Sequence, residues 1–123
     1  MSTYNGQYQV VNLTGGPITF VSVGHNGSQN VPSPQPMANG AISDPVSFQA
    51  ETGVNDDWTV SFKDANGNTW SRVGKQCNYE EEDAGQTMLI IFYQQNFTLL
   101  TPQSSPCLNN AYSESSDSAA SKK

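Results

Sequence analysis

Apolar and polar residues alternate along much of this chain, and the alternation is clearest in Asp57–Lys63. Trp58, Val60 and Phe62 occupy every second position there, so they share one face of a predicted strand. A second predicted strand, Thr69–Val73, follows after a short run of turn-forming residues. Together the two segments predict a β-hairpin.

The hairpin turn is predicted from Asp64–Asn68, which combines Asp, Asn and Gly. A type I turn followed by a left-handed residue fits this composition and places Phe62 opposite Trp70, with both rings buried on one face. A two-residue Asn66-Gly67 loop instead pairs Phe62 with Ser71. We favour the first register because it keeps the large rings together, and aromatic cross-strand pairs stabilise sheets.

Similar alternation predicts further strands, and the first two of them are expected to form a hairpin because the turn between them is short. In the segment Thr87–Tyr93 both faces are apolar, which predicts a strand that is central or covered on both sides. The other predicted strands are residues 7–13, 18–23, 41–51 and 97–101.

These elements predict an all-β fold, a two-sheet antiparallel β-sandwich of jelly-roll or immunoglobulin-like type with about seven strands. We assign residues 1–108 to the sandwich and 109–123 to a flexible Ser-rich tail, because the tail has almost nothing to bury. The expected core residues are Val10, Ile18, Phe20, Val46, Phe48, Trp58, Val60, Phe62, Trp70, Met88, Ile90, Phe92 and Leu99.

The low content of charged residues and the negative net charge limit the classes of molecule that the protein is expected to bind. Only 13% of residues are charged, and the net charge is −6. An acidic surface repels nucleic-acid backbones, so we expect no nucleic-acid partner. The N-terminus resembles no secretory signal, and the longest apolar run, Met88–Tyr93, is too short for a membrane span. We therefore expect a cytoplasmic protein without a transmembrane segment, with leaderless release as an alternative.

Two cysteines, Cys77 and Cys107, leave two alternatives open. A bridge between them closes a loop of about 30 residues, which on the chain-entropy model stabilises the fold by about 3–4 kcal/mol. In a cytosolic chain the default is two free thiols. Two cysteines and one histidine do not make a zinc site of recognised spacing.

We expect no enzymatic activity and no cofactor. The only histidine, His25, lies in a predicted turn, and the sequence contains no Gly-x-Ser-x-Gly motif. A weak alternative use of the acidic loop is calcium binding, because carboxylate oxygens suit a hard cation. The calcium candidates are Glu80, Glu82 and Asp83.

A sugar site is the more plausible use of the loops. Lectin sites on sandwiches combine an exposed aromatic ring, which stacks on the sugar, with amides and carboxylates that bind hydroxyl groups. The candidate ligand-binding residues are Tyr79, Tyr93, Asn55, Asp56, Asn66, Asn78 and Gln95.

About a quarter of the chain carries a family resemblance, in the segments 57–62, 67–70, 74–77, 82–83 and Gly85. It resembles small leaderless cytosolic β-sandwich proteins. These include sandwich proteins upregulated in long-lived nematodes and, more loosely, aegerolysins and the lectins and defence proteins of fungal fruiting bodies. Aegerolysins bind membrane lipids through a tryptophan-rich, cysteine-containing patch. The resemblance implies that Trp58, Trp70 and Cys77 correspond to that patch.

The sequence therefore predicts a non-enzymatic binding protein, lectin-like or of defence type, that recognises a glycan or lipid head group through loop residues. The alternative is a structural protein that associates with itself or with a protein partner. An uncovered apolar face of Met88–Tyr93 is the expected interface for such a homodimer.

Overall fold

The computed structural model describes residues 2–114, whose strands build two five-stranded sheets around one apolar core. The predicted β-sandwich is confirmed, with more strands than the seven expected. No helix in this range is long and apolar enough to cross a membrane. In chain order the strands are β1 (Thr3–Leu13), β2 (Thr19–His25), β3 (Ser28–Asn30), β4 (Val46–Glu51), β5 (Asp57–Lys63), β6 (Thr69–Gln76), β7 (Thr87–Tyr93), β8 (Asn96–Leu100), β9 (Cys107–Ala111) and β10 (Ser113–Glu114).

The first sheet has the order β4-β1-β7-β8-β9, and the second has the order β10-β6-β5-β2-β3. β1 and β7 run parallel, whereas the other paired strands are antiparallel. The parallel pair was not predicted. It joins segments about 80 residues apart in sequence, at Gln7 and Thr87, and no local pattern reports such a pairing.

The predicted central hairpin is confirmed in β5 and β6. Phe62 pairs with Trp70, as the type I turn followed by a left-handed residue requires. The Gly67 amide donates to the Asp64 carbonyl at 3.0 Å, and the Asp64 amide donates to the Asn68 carbonyl at 2.8 Å. Gly67 has a φ of 86°, a left-handed conformation that glycine adopts without a steric penalty. Phe62 is buried and Trp70 is half-buried.

The predicted hairpin between the first two strands is wrong, because β1 and β2 lie in different sheets. The chain crosses between the sheets at Thr14–Gly16, and the buried side chain of Asn12 holds this crossing. Its amide donates to the carbonyl of Gly16 at 2.8 Å and to that of Met37 at 2.9 Å. A buried amide with both protons paired stabilises a crossing that alternation alone does not indicate.

A β-bulge reverses the expected facing of β2. The register of β2 against β5 shifts between Thr19 and Ser22, and Phe20 has a φ of 52°. The extra residue turns Phe20 outward, where it is 71% exposed, and turns Val21 and Val23 into the core. The predicted burial of Phe20 is therefore wrong.

The rest of the expected core is confirmed for most positions, although Val46, Phe48 and Trp70 are only half-buried. β7 is the middle strand of the first sheet, as its two apolar faces predicted. The core also contains residues outside the expected core list, namely Tyr8, Val21, Val23, Met37, Ala50, Cys77, Tyr79 and Phe97.

The C-terminal segment continues the sandwich further than expected. Cys107 forms a disulfide with Cys77, which ties β9 to the end of β6. Residues 109–111 belong to β9, and the ring of Tyr112 stacks 5.5 Å from that of Phe97. The assignment of residues 109–114 to a flexible tail is therefore wrong, because Tyr112 has an apolar surface to cover. Residues 115–123 of the predicted tail lie outside the described residues.

Candidate functional site

Four of the predicted ligand-binding residues meet at one end of the sandwich, where they bind one another. Asp56 is buried, and its carboxylate accepts hydrogen bonds from the Tyr79 amide at 2.9 Å and from His25 Nε2 at 2.7 Å. The Asp56 amide donates to the side chain of Asn78 at 2.9 Å, and Asn78 donates in turn to Asn55 at 3.2 Å. We call these residues the Asp56 cluster; its polar groups are largely occupied, so it holds loops together.

Tyr79 is also buried, which excludes it as an exposed ring for sugar stacking. Its ring packs 4.9 Å from that of Phe48, and its hydroxyl shares its one proton between the carbonyls of Asp83 and Gln86. The expectation for Tyr79 is therefore wrong. Burial of a tyrosine with a paired hydroxyl is a structural role.

The acidic loop is not a simple solvated run, because Asp83 is completely buried. It ends a 3₁₀ helix, Glu81–Asp83, and its carboxylate accepts four hydrogen bonds. Oδ1 accepts from the amides of Gln103 and Ser104, at 2.6 and 2.9 Å. Oδ2 accepts from the Glu80 amide at 2.8 Å and from the Ser104 hydroxyl.

These bonds remove Asp83 from the calcium alternative. A carboxylate has about four lone-pair positions, and all are used here. Glu80 and Glu82 remain exposed beside it. Within residues 2–114, no group of three or more His, Cys, Asp or Glu side chains is arranged to hold a metal ion.

His25 ends β2 and is buried rather than placed in a turn, with 7% of its surface exposed. Its ring packs between Phe48 and Trp58, with centroids 4.8 and 4.5 Å away. Asp56 orients the ring, but no serine or cysteine of residues 2–114 donates to it. The described part of the chain therefore lacks the bonded nucleophile of a Ser-His-Asp triad.

The remaining sugar-site candidates lie elsewhere. Tyr93 and Gln95 are at the turn between β7 and β8 and are exposed. Asn66 is in the β5–β6 turn and lines a cleft of about 170 Å³, which we call the hairpin cleft. The structure thus does not bring the seven predicted residues to one site.

The hairpin cleft is the best candidate for a functional site. Its walls are the Thr14–Gly16 crossing, the β5–β6 turn, Trp70 of β6 and Gln94 of the β7–β8 turn. Trp70 contributes a half-buried indole, which is available on the cleft side while its ring lies 6.0 Å from that of Tyr112. The cleft therefore combines an accessible aromatic ring with amide groups.

Asp64 positions both the turn and the indole. Its Oδ1 accepts from the amides of Asn66 and Asn68, each at 2.9 Å, and its Oδ2 accepts from Trp70 Nε1 at 2.9 Å. Partial burial by itself raises the pKa of Asp64, but the hydrogen bonds from Trp70 and from the turn amides outweigh it and lower the pKa below its usual value. Asp64 is consequently ionised at neutral pH and acts as a positioning residue.

Two side-chain amides on the cleft wall are free to bind a ligand. Within residues 2–114, neither the Asn66 nor the Gln94 side chain has a hydrogen-bond partner, although both line the cleft. The opposite wall is held rigidly, because Thr14 donates to Asn12 Oδ1 through both its amide and its hydroxyl, at 3.0 and 2.7 Å. Free amides on a fixed frame suit recognition of hydroxyl groups.

The residue pattern did not identify Asp64 or Gln94 as site residues, and it assigned Trp70 to the core, although the family resemblance implied a binding role for Trp70. Trp70 has the spacing of a core residue, yet it is the second residue of β6 and lies next to the turn. The signal available in the sequence was a tryptophan close to a turn that contains an aspartate. For Gln94 the sequence offers no signal, because its cleft partners come from distant segments.

Comparison with known proteins does not assign this chain to a family. No protein-family model matches it, and no curated protein matches it. The resemblance to leaderless sandwich proteins therefore stays a prediction.

Proposed function

We propose that the protein binds a carbohydrate in the hairpin cleft and has no catalytic role. The observation that carries the proposal is the half-buried Trp70 indole, oriented by Asp64 and faced by the free amides of Asn66 and Gln94. An aromatic face with adjacent amides is the arrangement that binds the apolar and hydroxyl-bearing sides of a sugar ring. The cleft is smaller than the roughly 300 Å³ of sites for drug-sized ligands, which favours a single sugar unit.

Charge favours a glycan over a phosphate-bearing lipid head group. The residues that line the cleft include no Lys or Arg, and they include the ionised Asp64. The whole chain carries a net charge of −6. An anionic head group would be repelled by both.

The proposed place of action follows from the disulfide between Cys77 and Cys107. Disulfides persist mainly in oxidising environments and are rare in the cytosol. We therefore place the binding activity in an oxidising environment outside the cytosol.

Gln94→Ala tests the proposal, with Gln95→Ala as its matched control. Loss of one neutral hydrogen bond should weaken glycan binding by about two- to tenfold. Gln95 is the exposed neighbour and does not line the cleft, so its variant should bind like the wild type. The measurement is a glycan array, run with and without calcium, followed by calorimetric titration of the bound sugar.

Three results of that experiment argue against the hairpin cleft. Absence of any glycan signal from the wild type removes the function. Equal loss in the Gln94 and Gln95 variants removes the site. Binding that requires calcium contradicts it, because no cluster of metal ligands lies within residues 2–114.

Self-association is a second candidate function, and the outer face of the first sheet favours it. Tyr93, Leu100 and Leu108 are exposed there, and Leu108 is 57% exposed. Strands β7, β8 and β9 contain no charged residue. In an acidic protein, an uncharged apolar face is where a second copy can approach with the least repulsion.

We expect Leu108→Glu to abolish such a dimer, because it places two like charges in a symmetric interface. Val73→Glu, at a 77% exposed position on the second sheet, is the control. Sedimentation equilibrium should show a mass that rises with concentration for the wild type and the control only. A monomeric wild type at the highest attainable concentration excludes this function.

A further inference from the structure

A second and larger cleft opens between β3 and β4, the edge strands of the two sheets. We call it the edge cleft, and its volume is about 600 Å³. Tyr8, His25 and Phe48 contribute buried or half-buried rings to its lining. Exposed amide and hydroxyl side chains line it as well, from Asn26, Ser28, Gln29, Asn30, Ser47 and Gln49.

Tyr8, which lines the edge cleft, carries an unpaired polar group, its hydroxyl. Tyr8 is 1% exposed, and its ring packs edge-on against Trp58, with centroids 5.9 Å apart. Within residues 2–114 this hydroxyl is the one fully buried side-chain polar atom without a hydrogen-bond partner. An unpaired buried hydroxyl is costly, and most such groups are paired with protein or water.

The hydroxyl stays protonated, so it offers both a donor and an acceptor. Burial raises the pKa of Tyr8 well above its ordinary value, because the phenolate is poorly solvated. The group is therefore neutral across the physiological range, and a partner for it need carry no charge.

His25 supplies a second polar atom to the cleft. Its Nε2 lies 2.7 Å from the Asp56 carboxylate and donates to it, so Nδ1 is the ring nitrogen left for a ligand. Nδ1 has no partner within the described residues. Phe48 lies 4.8 Å from the His25 ring and adds an apolar wall.

The lining excludes a charged ligand as the preferred occupant. Apart from His25, which Asp56 already pairs, the lining side chains are neutral amides, hydroxyls and rings. A ligand that matches this surface has hydroxyl groups, no net charge and one apolar side. The volume lies within the usual range for small-molecule sites, about 300–1,000 Å³.

We propose that the edge cleft is a second binding site, for a neutral hydroxyl-rich ligand such as a sugar or cyclic polyol, one hydroxyl of which pairs with the Tyr8 hydroxyl. The site is independent of the hairpin cleft. His25, in the edge cleft, pairs with Trp58 near the start of β5. Asp64, in the hairpin cleft, follows the end of β5, six residues after Trp58. Six residues of extended strand separate the two clefts by about 20 Å. Both clefts therefore bind at the same time, and the protein is bivalent.

Tyr8→Phe is the decisive variant, because it removes only the hydroxyl. Probes are glucose, galactose, mannose and myo-inositol, each titrated separately and followed by ¹H–¹⁵N NMR of the backbone amides. We expect shifts at 28–30 and 47–49, with affinity reduced about tenfold in the variant. Without ligand, the variant should unfold at the same or a higher urea concentration than the wild type, because an unpaired polar group has been removed.

Two further variants test whether the ligand occupies the edge cleft itself. Ser47→Ala, at an exposed rim position, should weaken binding without affecting folding. Gln94→Ala should leave the edge-cleft shifts unchanged, because it belongs to the hairpin cleft. The proposal is overturned by the absence of shifts at the edge cleft for all four probes. Equal affinity of Tyr8→Phe and wild type, or destabilisation of Tyr8→Phe without ligand, also overturns it.

Discussion

Replacement of Asp83 by alanine is expected to lower the free energy of unfolding by about 5 kcal/mol, since hydrogen bonds to a buried charge contribute about 1.5–3 kcal/mol each and are not additive. The alanine variant leaves the amides of Gln103, Ser104 and Glu80 without an acceptor inside the protein. The free energy of unfolding of a whole domain is about 5–15 kcal/mol, so a loss of this size can unfold a weakly stable domain.

If the alanine variant does not fold, Asp83→Asn is the variant whose unfolding can still be measured. One oxygen still accepts from Gln103 and Ser104, whereas the new NH₂ group faces the Glu80 amide. We expect about half of the alanine effect, measured by urea unfolding at pH 7. Glu82→Asn is the matched control, because Glu82 is an exposed acid of the same 3₁₀ helix; equal losses at both positions contradict the assigned role.

The pH dependence of the wild type tests the same carboxylate. Burial alone raises the pKa of Asp83, but hydrogen bonds from the Ser104 hydroxyl and from the amides of Ser104, Gln103 and Glu80 outweigh it, so the pKa lies below the ordinary 3.8. A depressed folded-state pKa stabilises the protein above the unfolded value, and this stabilisation is lost as the pH falls through the folded-state value. Stability should therefore fall below about pH 4, and less steeply in Asp83→Asn.

Replacement of Asp56 by alanine is expected to lower the free energy of unfolding by about 4 kcal/mol, because its buried carboxylate accepts two hydrogen bonds and each hydrogen bond to a charged group contributes about 1.5–3 kcal/mol. The variant leaves two buried groups unpaired, the Tyr79 amide and His25 Nε2. The backbone of Asp56 is also connected to the disulfide, because its carbonyl accepts a hydrogen bond from the amide of Cys77. Urea unfolding under oxidising conditions measures the loss with the disulfide intact.

Two further substitutions test whether the loss of stability comes from the hydrogen bonds of the Asp56 carboxylate. Asp57→Ala should change stability by less than about 0.5 kcal/mol, because Asp57 is exposed and typical of surface sites. Asp56→Asn should be milder than alanine, since its NH₂ group can donate to His25 once the ring changes tautomer. Equal effects of Asp56→Ala and Asp57→Ala exclude the Asp56 cluster as a stabilising element.

The candidate site was predictable only in part, and Asn66 shows why. Its position in a turn followed from the Asp64–Asn68 composition, and turns are where ligands are bound. Asn55, Asp56, Asn78 and Tyr79 have the same polar and aromatic character, yet they bind one another. Residue type shows which groups can form hydrogen bonds, whereas the fold decides whether those groups are already paired.

Local interactions explain what the sequence by itself determined. The β5–β6 register depends on a five-residue turn and on the pairing of Phe62 with Trp70, all within a few residues of one another. The two apolar faces of β7 likewise follow from alternation at every second position. These features are decided by side-chain direction and turn chemistry, so the sequence pattern determines them directly.

Only the tertiary structure decided the rest, because the partners are distant in sequence. The buried carboxylate of Asp83 is paired with the amides of Gln103 and Ser104, which are 20 and 21 positions away. The buried carboxylate of Asp56 is paired with His25, which is 31 positions away. A single bulge at Phe20 reversed the facing of β2, and the parallel pair joined β1 to β7, about 80 residues later in the chain. Both clefts are assembled from separate segments, and their shape follows from sheet packing that no local pattern encodes.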